Sequence, residues 1–410
     1  MKSIKVGSDF SGVGAFDQAL KRIGVNYETI FACDMDKFAR ETFVHNYGEP
    51  KYYPKNVYDR EIPKESLDIY MTSPPCQAFS LAGKRLGKDD KRGILFFNSH
   101  EFIQVNKPRF FIFENVKGLL SDDNGKTFQE WVNMLGGKSV NGLPVLFPYE
   151  DSVPYHLYWQ VLNAKHHGVP QNRERVFLIG IRDDSDNKFQ FPKEEHLIKI
   201  LKNVLESEVD EKYFLSKIML EKLTFDYKKN GEIANLNKGG ERGSVYDSDT
   251  NSISCLSATD YKQPKQILIK SATLKGFETA TENDSINFSV PNSETRRGRV
   301  EKQCAQTLDT SCNQGVWIAD YRNDEGLRIR KDNISPCMAA RKHSETDIST
   351  MAPIIGYDYK IRRLTPRECF RLMDFPDLFT WPVSDSQAYK QAGNSIVVRV
   401  LEKIIKNLPL

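Results

Sequence analysis

The chain has 410 residues, 39% hydrophobic and 28% charged, with a formal net charge of +3 and seven cysteines. That length suits two or three domains, or one large domain with an insertion. No apolar run is long enough for a membrane-spanning helix, and Ile4-Lys5-Val6 opens directly as a strand, with no apolar leader segment before it. The cysteines are scattered and form no C-x-x-C pair, which argues against a disulfide framework or a structural zinc site and for a reducing, cytoplasmic setting. The mild positive charge is compatible with a nucleic-acid partner.

Residues 4–16 read as a strand, a tight turn and a helix running to about Ile23. The turn is Phe10-Ser11-Gly12-Val13-Gly14, whose glycines let the backbone bend sharply and approach a ligand. The helix behind it offers free N–H groups. A second apolar strand, Thr29–Cys33, ends in Asp34, placed about where a ribose-binding carboxylate follows a glycine turn. Asp34 also suits the N-cap of a helix over Lys37–Tyr47. Asn56 and Val57 close the next segment, within reach of an adenine edge.

The apolar run Leu67–Met71 reads as a buried strand, stopped by Pro74 and Pro75. Cys76 follows at its carboxyl end, where open α/β sheets carry their sites. A cysteine beside cations, held in a rigid turn, suits a nucleophile, because nearby positive charge favours the thiolate. A small buried hydrophobe is the other reading. Residues 78–93 carry Lys84, Arg85, Lys88, Lys91 and Arg92 among Gly83, Gly87 and Gly93, a composition suited to a loop closing over a polyanion or, equally, to a solvated charged loop. A helix is expected from about Leu95 to Val105, then a strand, Phe110–Phe113, that delivers Glu114 at its end. Neighbouring parallel strands would bring Cys76 and Glu114 side by side. Residues 124–155 look irregular, and Tyr155–Asn163 reads as a strand. Gln171-Asn172-Arg173-Glu174-Arg175 then leads into the apolar strand Val176–Ile181. Arg173 and Arg175, two apart on an extended segment, share a face suited to an anion or a carbonyl, or to surface ion pairing.

From about Asp183 the composition turns polar, with a helix expected at Leu215–Leu223 and a β-rich remainder. A weak repeat links Cys255–Ala258, Thr307–Thr310 and Cys337–Ala340, each followed by an apolar run. Basic residues cluster nearby, among them Arg296, Arg297, Arg299 and Arg341, as side chains presented to a DNA groove would. Thr365-Pro366 with Glu368 starts a capped helix. The chain closes with Gly393-Asn394-Ser395 and an amphipathic helix over Val397–Ile405.

Taken in order, Phe10–Gly14, Pro75–Ser80, Glu114-Asn115-Val116, Gln171–Arg175, Arg363–Met373 and Gly393-Asn394-Ser395 resemble the motifs of the cytosine-C5 DNA methyltransferases, mostly bacterial and phage restriction–modification enzymes. The resemblance implies an α/β, Rossmann-like, mostly parallel seven-stranded sheet carrying an inserted, smaller, β-rich target-recognition domain. On that reading residues 1–185, completed by 386–410, form the catalytic domain, and residues 186–385 the recognition domain with its hinge helix. It implies S-adenosylmethionine as cofactor, held by Phe10, Ser11, Gly12, Val13, Gly14, Asp34, Met35, Asn56, Val57, Pro74, Leu95, Asn394 and Ser395. Met35 stands where many members have Trp, and Asn56 where many have Asp. It implies Cys76 as nucleophile, Glu114 as proton partner of the base, and Arg173 with Arg175 at the base carbonyl. Gln77, Ser80, Lys84, Arg85, Arg92, Arg296, Arg297, Arg299 and Arg341 are then the DNA contacts. The implied partner is double-stranded DNA read by a monomer, with room for a cognate restriction endonuclease acting on the same site. No metal is required. A tRNA cytosine methyltransferase and a catalytically silent DNA-binding protein are the alternatives.

Overall fold

The computed structural model describes residues 3–75, 94–182, 187–223, 245–246, 266–319 and 359–410. The chain opens with β1 (Ile4–Asp9), α1 (Ala15–Ile23), β2 (Tyr27–Cys33), α2 (Lys37–Tyr47), β3 (Ile69–Thr72), α3 (Ile94–Asn106) and β4 (Phe110–Val116). All four residues of β3 and the first six of β4 are buried. Such unbroken apolar runs are what a strand covered on both faces requires. β1 pairs in parallel with both β2 and β3, and β3 with β4. The chain thus leaves β1 in one direction to form β2 and returns on its other side to form β3. That reversal opens a crevice at the carboxyl ends of β1 and β3, the usual place for a ligand in such sheets.

Residues expected to be irregular contain a helix, α4 (Lys126–Leu135), followed by β5 (Ser139–Val140) and β6 (Leu143–Pro144). Phe128, Trp131, Val132 and Leu135 are its buried face, an i, i+3, i+4, i+7 pattern that the flanking glycines and prolines obscure. β7 (Tyr155–Asn163), the two-residue β8 (Gln171–Asn172) and β9 (Glu174–Arg182) follow. The main sheet has eight strands in the order β2-β1-β3-β4-β9-β7-β5-β6. It exceeds the seven expected, with two-residue strands closing one edge. β9 runs antiparallel to both β4 and β7. Its first residues therefore lie beside the last residues of β4, with Arg175 opposite Val116 and Phe177 opposite Glu114. Phe31, Tyr70, Phe102, Phe111, Phe113, Trp131 and Tyr155 form an aromatic core beside the sheet. Each contributes about 1.5–3 kcal/mol by burial.

The inserted segment has α5 (Lys217–Leu223) and two small sheets. One orders β10 (Val245–Tyr246), β11 (Gln266–Lys270) and β12 (Phe277–Thr281). The other contains β13 (Ser285–Asn287), β14 (Val300–Glu301), β16 (Gln314–Ala319) and β17 (Tyr359–Arg363), with the two-residue β15 (Ala305–Gln306) preceding β16. The β-rich character expected from composition is what these residues adopt. Ile269, Ala280, Ile286 and Ile361 form its core. The chain ends with α6 (Pro366–Leu372), α7 (Asp385–Asn394) and α8 (Val398–Lys406). α8 packs along α1, and Arg22 of α1 pairs with Glu402 at 3.0 Å.

The fold divides into two compact units, Met1–Val204 with Thr307–Cys312 and Pro366–Leu410, and Leu205–Gln306 with Asn313–Thr365. The first unit takes in residues 187–204, the Thr307–Cys312 segment and α6, which the sequence reading places with the recognition domain. Gln171 donates to the Leu372 carbonyl at 2.8 Å, and Arg371 to that of Val204 at 3.1 Å.

Candidate active site

The turn after β1 is strained. Phe10, Gly12 and Gly14 have φ of 56°, 54° and 84°, in the left-handed region. For Phe10 this costs about 1–3 kcal/mol, sustained only where the surroundings fix it. The N–H of Ser11 donates to the Cys33 carbonyl at 3.0 Å, and that of Gly12 to Asp34 Oδ2 at 2.8 Å. Asp34 Oδ1 accepts from the Asp36 N–H at 2.8 Å. Burial raises the Asp34 pKa, against the two backbone donors. Asp34 does not cap α2; Asp36 does, accepting from the N–H groups of Phe38 and Ala39. The turn and the strand-end carboxylate thus form one bonded unit.

Met35 is 87% exposed beside Asp34. Asn56 is exposed and folds onto its own turn, accepting from the Tyr58 N–H and donating to Asp59 Oδ2. Val57 is buried, and Leu95 packs half-buried against the aromatic core. Asn394 is exposed at the end of α7, and Ser395 is buried. An open space around Gly12, where an added Cβ would meet nothing within 4 Å, suits close approach by a ligand. With the Asp34 carboxylate and the exposed Met35 side chain, these groups fit a nucleoside-bearing cofactor.

At the carboxyl end of β4, Glu114 is buried. Its carboxyl pKa is raised by burial, opposed first by Arg175 and then by Arg173. Arg175 Nε lies 3.0 Å from Glu114 Oε1. Asn115, next along the strand, donates its side-chain amide to the Pro74 carbonyl at 3.0 Å. This bond fixes the end of β4 to the backbone two residues before Cys76. Cys76 itself, with Gln77, Ser80, Lys84, Arg85, Arg92 and Arg341, lies outside the described residues.

The two arginines read together from sequence have different surroundings. Arg173 is buried and donates to three backbone carbonyls, those of Leu308 at 3.3 Å, Gly393 at 3.1 Å and Ser395 at 2.8 Å. Burial, with Arg175 nearby, lowers its pKa to about 9. Arg173, expected to lead at a base carbonyl, thus has both terminal nitrogens bonded to the chain, while its buried Nε has no hydrogen-bond partner among the described residues. Gly393 is required at this junction, because a Cβ there would come within 2.4 Å of the Asp309 carbonyl oxygen.

Arg299 is expected from sequence as a DNA contact. It is fully buried and donates to the carbonyls of Asn287, Ser289, Val290 and Pro291. Arg297 is exposed, with Nε on the Ala272 carbonyl at 3.2 Å. Arg296 is half-buried over Asn287 and Ser289. The roles of Asn115 and Gln171 as anchors were missed in sequence, where both stand inside motifs whose charged members draw attention. Among the described residues no cluster of three or more His, Cys, Asp or Glu side chains is placed to hold a metal ion, and no helix is long and apolar enough to cross a membrane.

Residues 4–409 match the model of the C-5 cytosine-specific DNA methylases. The chain is 31% identical to the orphan methyltransferase M.SPRI of Bacillus phage SPR, over all of this chain and 98% of that protein. It is 27% identical to the type II methyltransferase M.Bsp6I of Bacillus sp. strain RFL6, over 99% of this chain and 98% of that one. Among solved structures, a mutant of DNMT2 from Spodoptera frugiperda superposes with a TM-score of 0.58 at 18% identity, covering 98% of this chain and 99% of its own. A putative DNA modification methyltransferase encoded within an E. coli prophage superposes with a TM-score of 0.53 at 20% identity, covering 99% and 98%. These two similarities concern the fold.

Proposed function

The chain belongs to the C-5 cytosine-specific DNA methylases, and from that premise we propose that it methylates cytosine through a covalent bond between Cys76 and C6 of a base turned out of duplex DNA. It is a DNA (cytosine-5)-methyltransferase of the restriction–modification type. The observation that carries the finer reading is the meeting of Glu114 and Arg175 at one strand end, beside the Asn115–Pro74 bond that leads to Cys76.

C5 of cytosine is too weak a nucleophile to accept a methyl group unaided. A Cys76 thiolate adding to C6 makes C5 enamine-like. Glu114, whose carboxyl holds its proton to higher pH than usual, neutralises the ring at N3 as the thiolate adds. Arg175 faces the same carboxylate and takes the O2 role, stabilising charge that develops there. Arg173 acts by holding the backbone of residues 308, 393 and 395. Loss of the C5 proton and cleavage of the Cys76–C6 bond complete the reaction. A cytosine inside a duplex is out of reach of such groups, so it must be flipped.

S-adenosylmethionine, when bound, supplies the methyl group. Phe10–Gly14 with Asp34 would hold it, Asp34 at the ribose and Met35 against the adenine. The second unit is the target-recognition domain on this reading, with Arg296 and Arg297 as its candidate phosphate contacts among the described residues.

The test is product analysis. Full-length protein is incubated with methyl-labelled S-adenosylmethionine and mixed-sequence duplex DNA, and the DNA is digested to nucleosides. Label in 5-methyldeoxycytidine supports the proposal. Label in an exocyclic-amine product, or only in a parallel tRNA sample, overturns it.

A further inference from the structure

Resting on the cofactor assignment above, the geometry points to Arg60 as a positioning residue for the cofactor, acting through Asp9. Asp9 ends β1 and immediately precedes the left-handed Phe10. Its carboxylate is buried. Arg60 Nε donates to both of its oxygens, at 2.9 and 3.0 Å, and Nη2 donates to Oδ2 at 2.7 Å. Tyr70 on β3 adds its hydroxyl to Oδ2 at 2.6 Å. The same Arg60 Nη2 also donates to the Asn98 carbonyl on α3 at 2.9 Å. The guanidinium lies 4.9 Å from the Phe102 ring centroid, and Phe102 stacks on Tyr70 at 4.1 Å.

One side chain therefore joins three segments. Asp9 leads into the Phe10–Gly14 turn. Arg60 itself follows Asn56 and Val57 by a few residues. Asn98 lies one helical turn beyond Leu95. Each of the three lies at or beside a position where the resemblance places cofactor contacts. A residue held at φ 56° keeps that conformation only when both flanks are fixed. β2 fixes the turn after Phe10, through Cys33 and Asp34, and Arg60 fixes it before. The planar fork of arginine reaches a carboxylate with two donors and a carbonyl with the same terminus, an arrangement that a lysine point charge cannot reproduce. Glu114 and Arg175 stand on other strands and are not bonded to this network. A loosened Arg60 should weaken cofactor binding while sparing the chemistry on the base.

The test compares wild type, Arg60→Lys and Tyr70→Phe as full chains. Binding of S-adenosylmethionine without DNA is measured by calorimetry, together with the melting temperature, KM for each substrate and kcat at saturating cofactor. Arg60→Lys should weaken cofactor binding about ten-fold, equivalent to about 1.4 kcal/mol. KM for DNA and the saturated kcat should stay at wild-type values. Tyr70→Phe keeps the ion pair and should weaken binding about three-fold, the size of one net hydrogen bond. It carries the test if the lysine variant does not fold. Folded variants that bind cofactor as tightly as wild type overturn the inference, as does a parallel loss of cofactor affinity, DNA affinity and kcat. A wild-type protein that binds no S-adenosylmethionine overturns the cofactor assignment, and this inference with it.

Discussion

The side-chain amide of Asn115 donates to the backbone carbonyl of Pro74 at 3.0 Å, tying the carboxyl ends of β3 and β4 together at buried positions. The bond sets where the chain leaves Pro74 toward Cys76, relative to the Glu114 carboxylate. Asn115→Leu keeps the volume and removes the donor. It should lower single-turnover methylation about 100-fold, as misplacement of a reacting group by about 1 Å does. Cofactor affinity, measured alongside, should not change. Equal loss of both would mean that Asn115 supports the fold rather than the nucleophile's position.

On the proposed mechanism Glu114 and Arg175 set the pH dependence. Burial raises the Glu114 pKa, and Arg175 restrains the rise more than Arg173 does. On the proposed mechanism the reaction needs the proton on Glu114, so the rate should be full below its folded pKa and fall as pH rises through it. Arg175→Met removes the largest restraint. The rate should fall about 100- to 1,000-fold, as on removing one charge-stabilising donor, and the alkaline limb of the kcat/KM–pH profile should move to higher pH. A limb that stays in place would uncouple the two residues.

Asp17 gives a stability test away from the site. It is buried on α1, accepts from Thr29 at 2.9 Å, and burial pushes its pKa from 3.8 to about 6. A carboxyl with a folded pKa above its unfolded one supports the fold fully below the unfolded value, and that support is lost as pH rises through the folded value. Asp17→Asn should thus stabilise the protein by ~3 kcal/mol at neutral pH, from about two pK units at ~1.4 kcal/mol each. The gain should shrink as pH falls through 6 and vanish below 3.8. Denaturant titrations at several pH values would show it.

Arg297 and Arg299 should separate binding from folding. Arg297→Ala removes an exposed charge, and the slope of log affinity against log salt should fall by about one. Arg299→Ala deprives four carbonyls of their donor, and should cost about 3 kcal/mol of stability as a broken buried network does. DNA-binding titrations over a salt series, paired with melting curves, check both.

The sheet was legible because β3 and β4 are carried by apolar runs that end at paired prolines and at Glu114, because β1 and β2 each carry a short apolar stretch before a turn or an acid, and α2 matches its expected limits of Lys37–Tyr47. α4 was obscured because its apolar face is short and framed by turn residues. Glu114 and the Phe10–Gly14 turn were legible as motif positions at strand ends. The division of labour between Arg173 and Arg175 was not, because their spacing alone cannot say that residues 308, 393 and 395 return to meet Arg173. Nor does a basic cluster in sequence say which member folds inward, as Arg299 does. The Asp9–Arg60 pair spans 51 positions, and no local pattern marks it.

The central claim is the Cys76–C6 bond, and a trapping assay tests it most directly. The protein is incubated with S-adenosylmethionine and mixed-sequence duplex DNA containing 5-fluorocytosine, in parallel with Cys76→Ser. Fluorine at C5 cannot leave as a proton does, so the reaction should stall with protein and DNA covalently joined. A denaturant-stable adduct that requires both Cys76 and the cofactor is the predicted result. DNA binding with no adduct, or an adduct that persists in Cys76→Ser, would contradict the account.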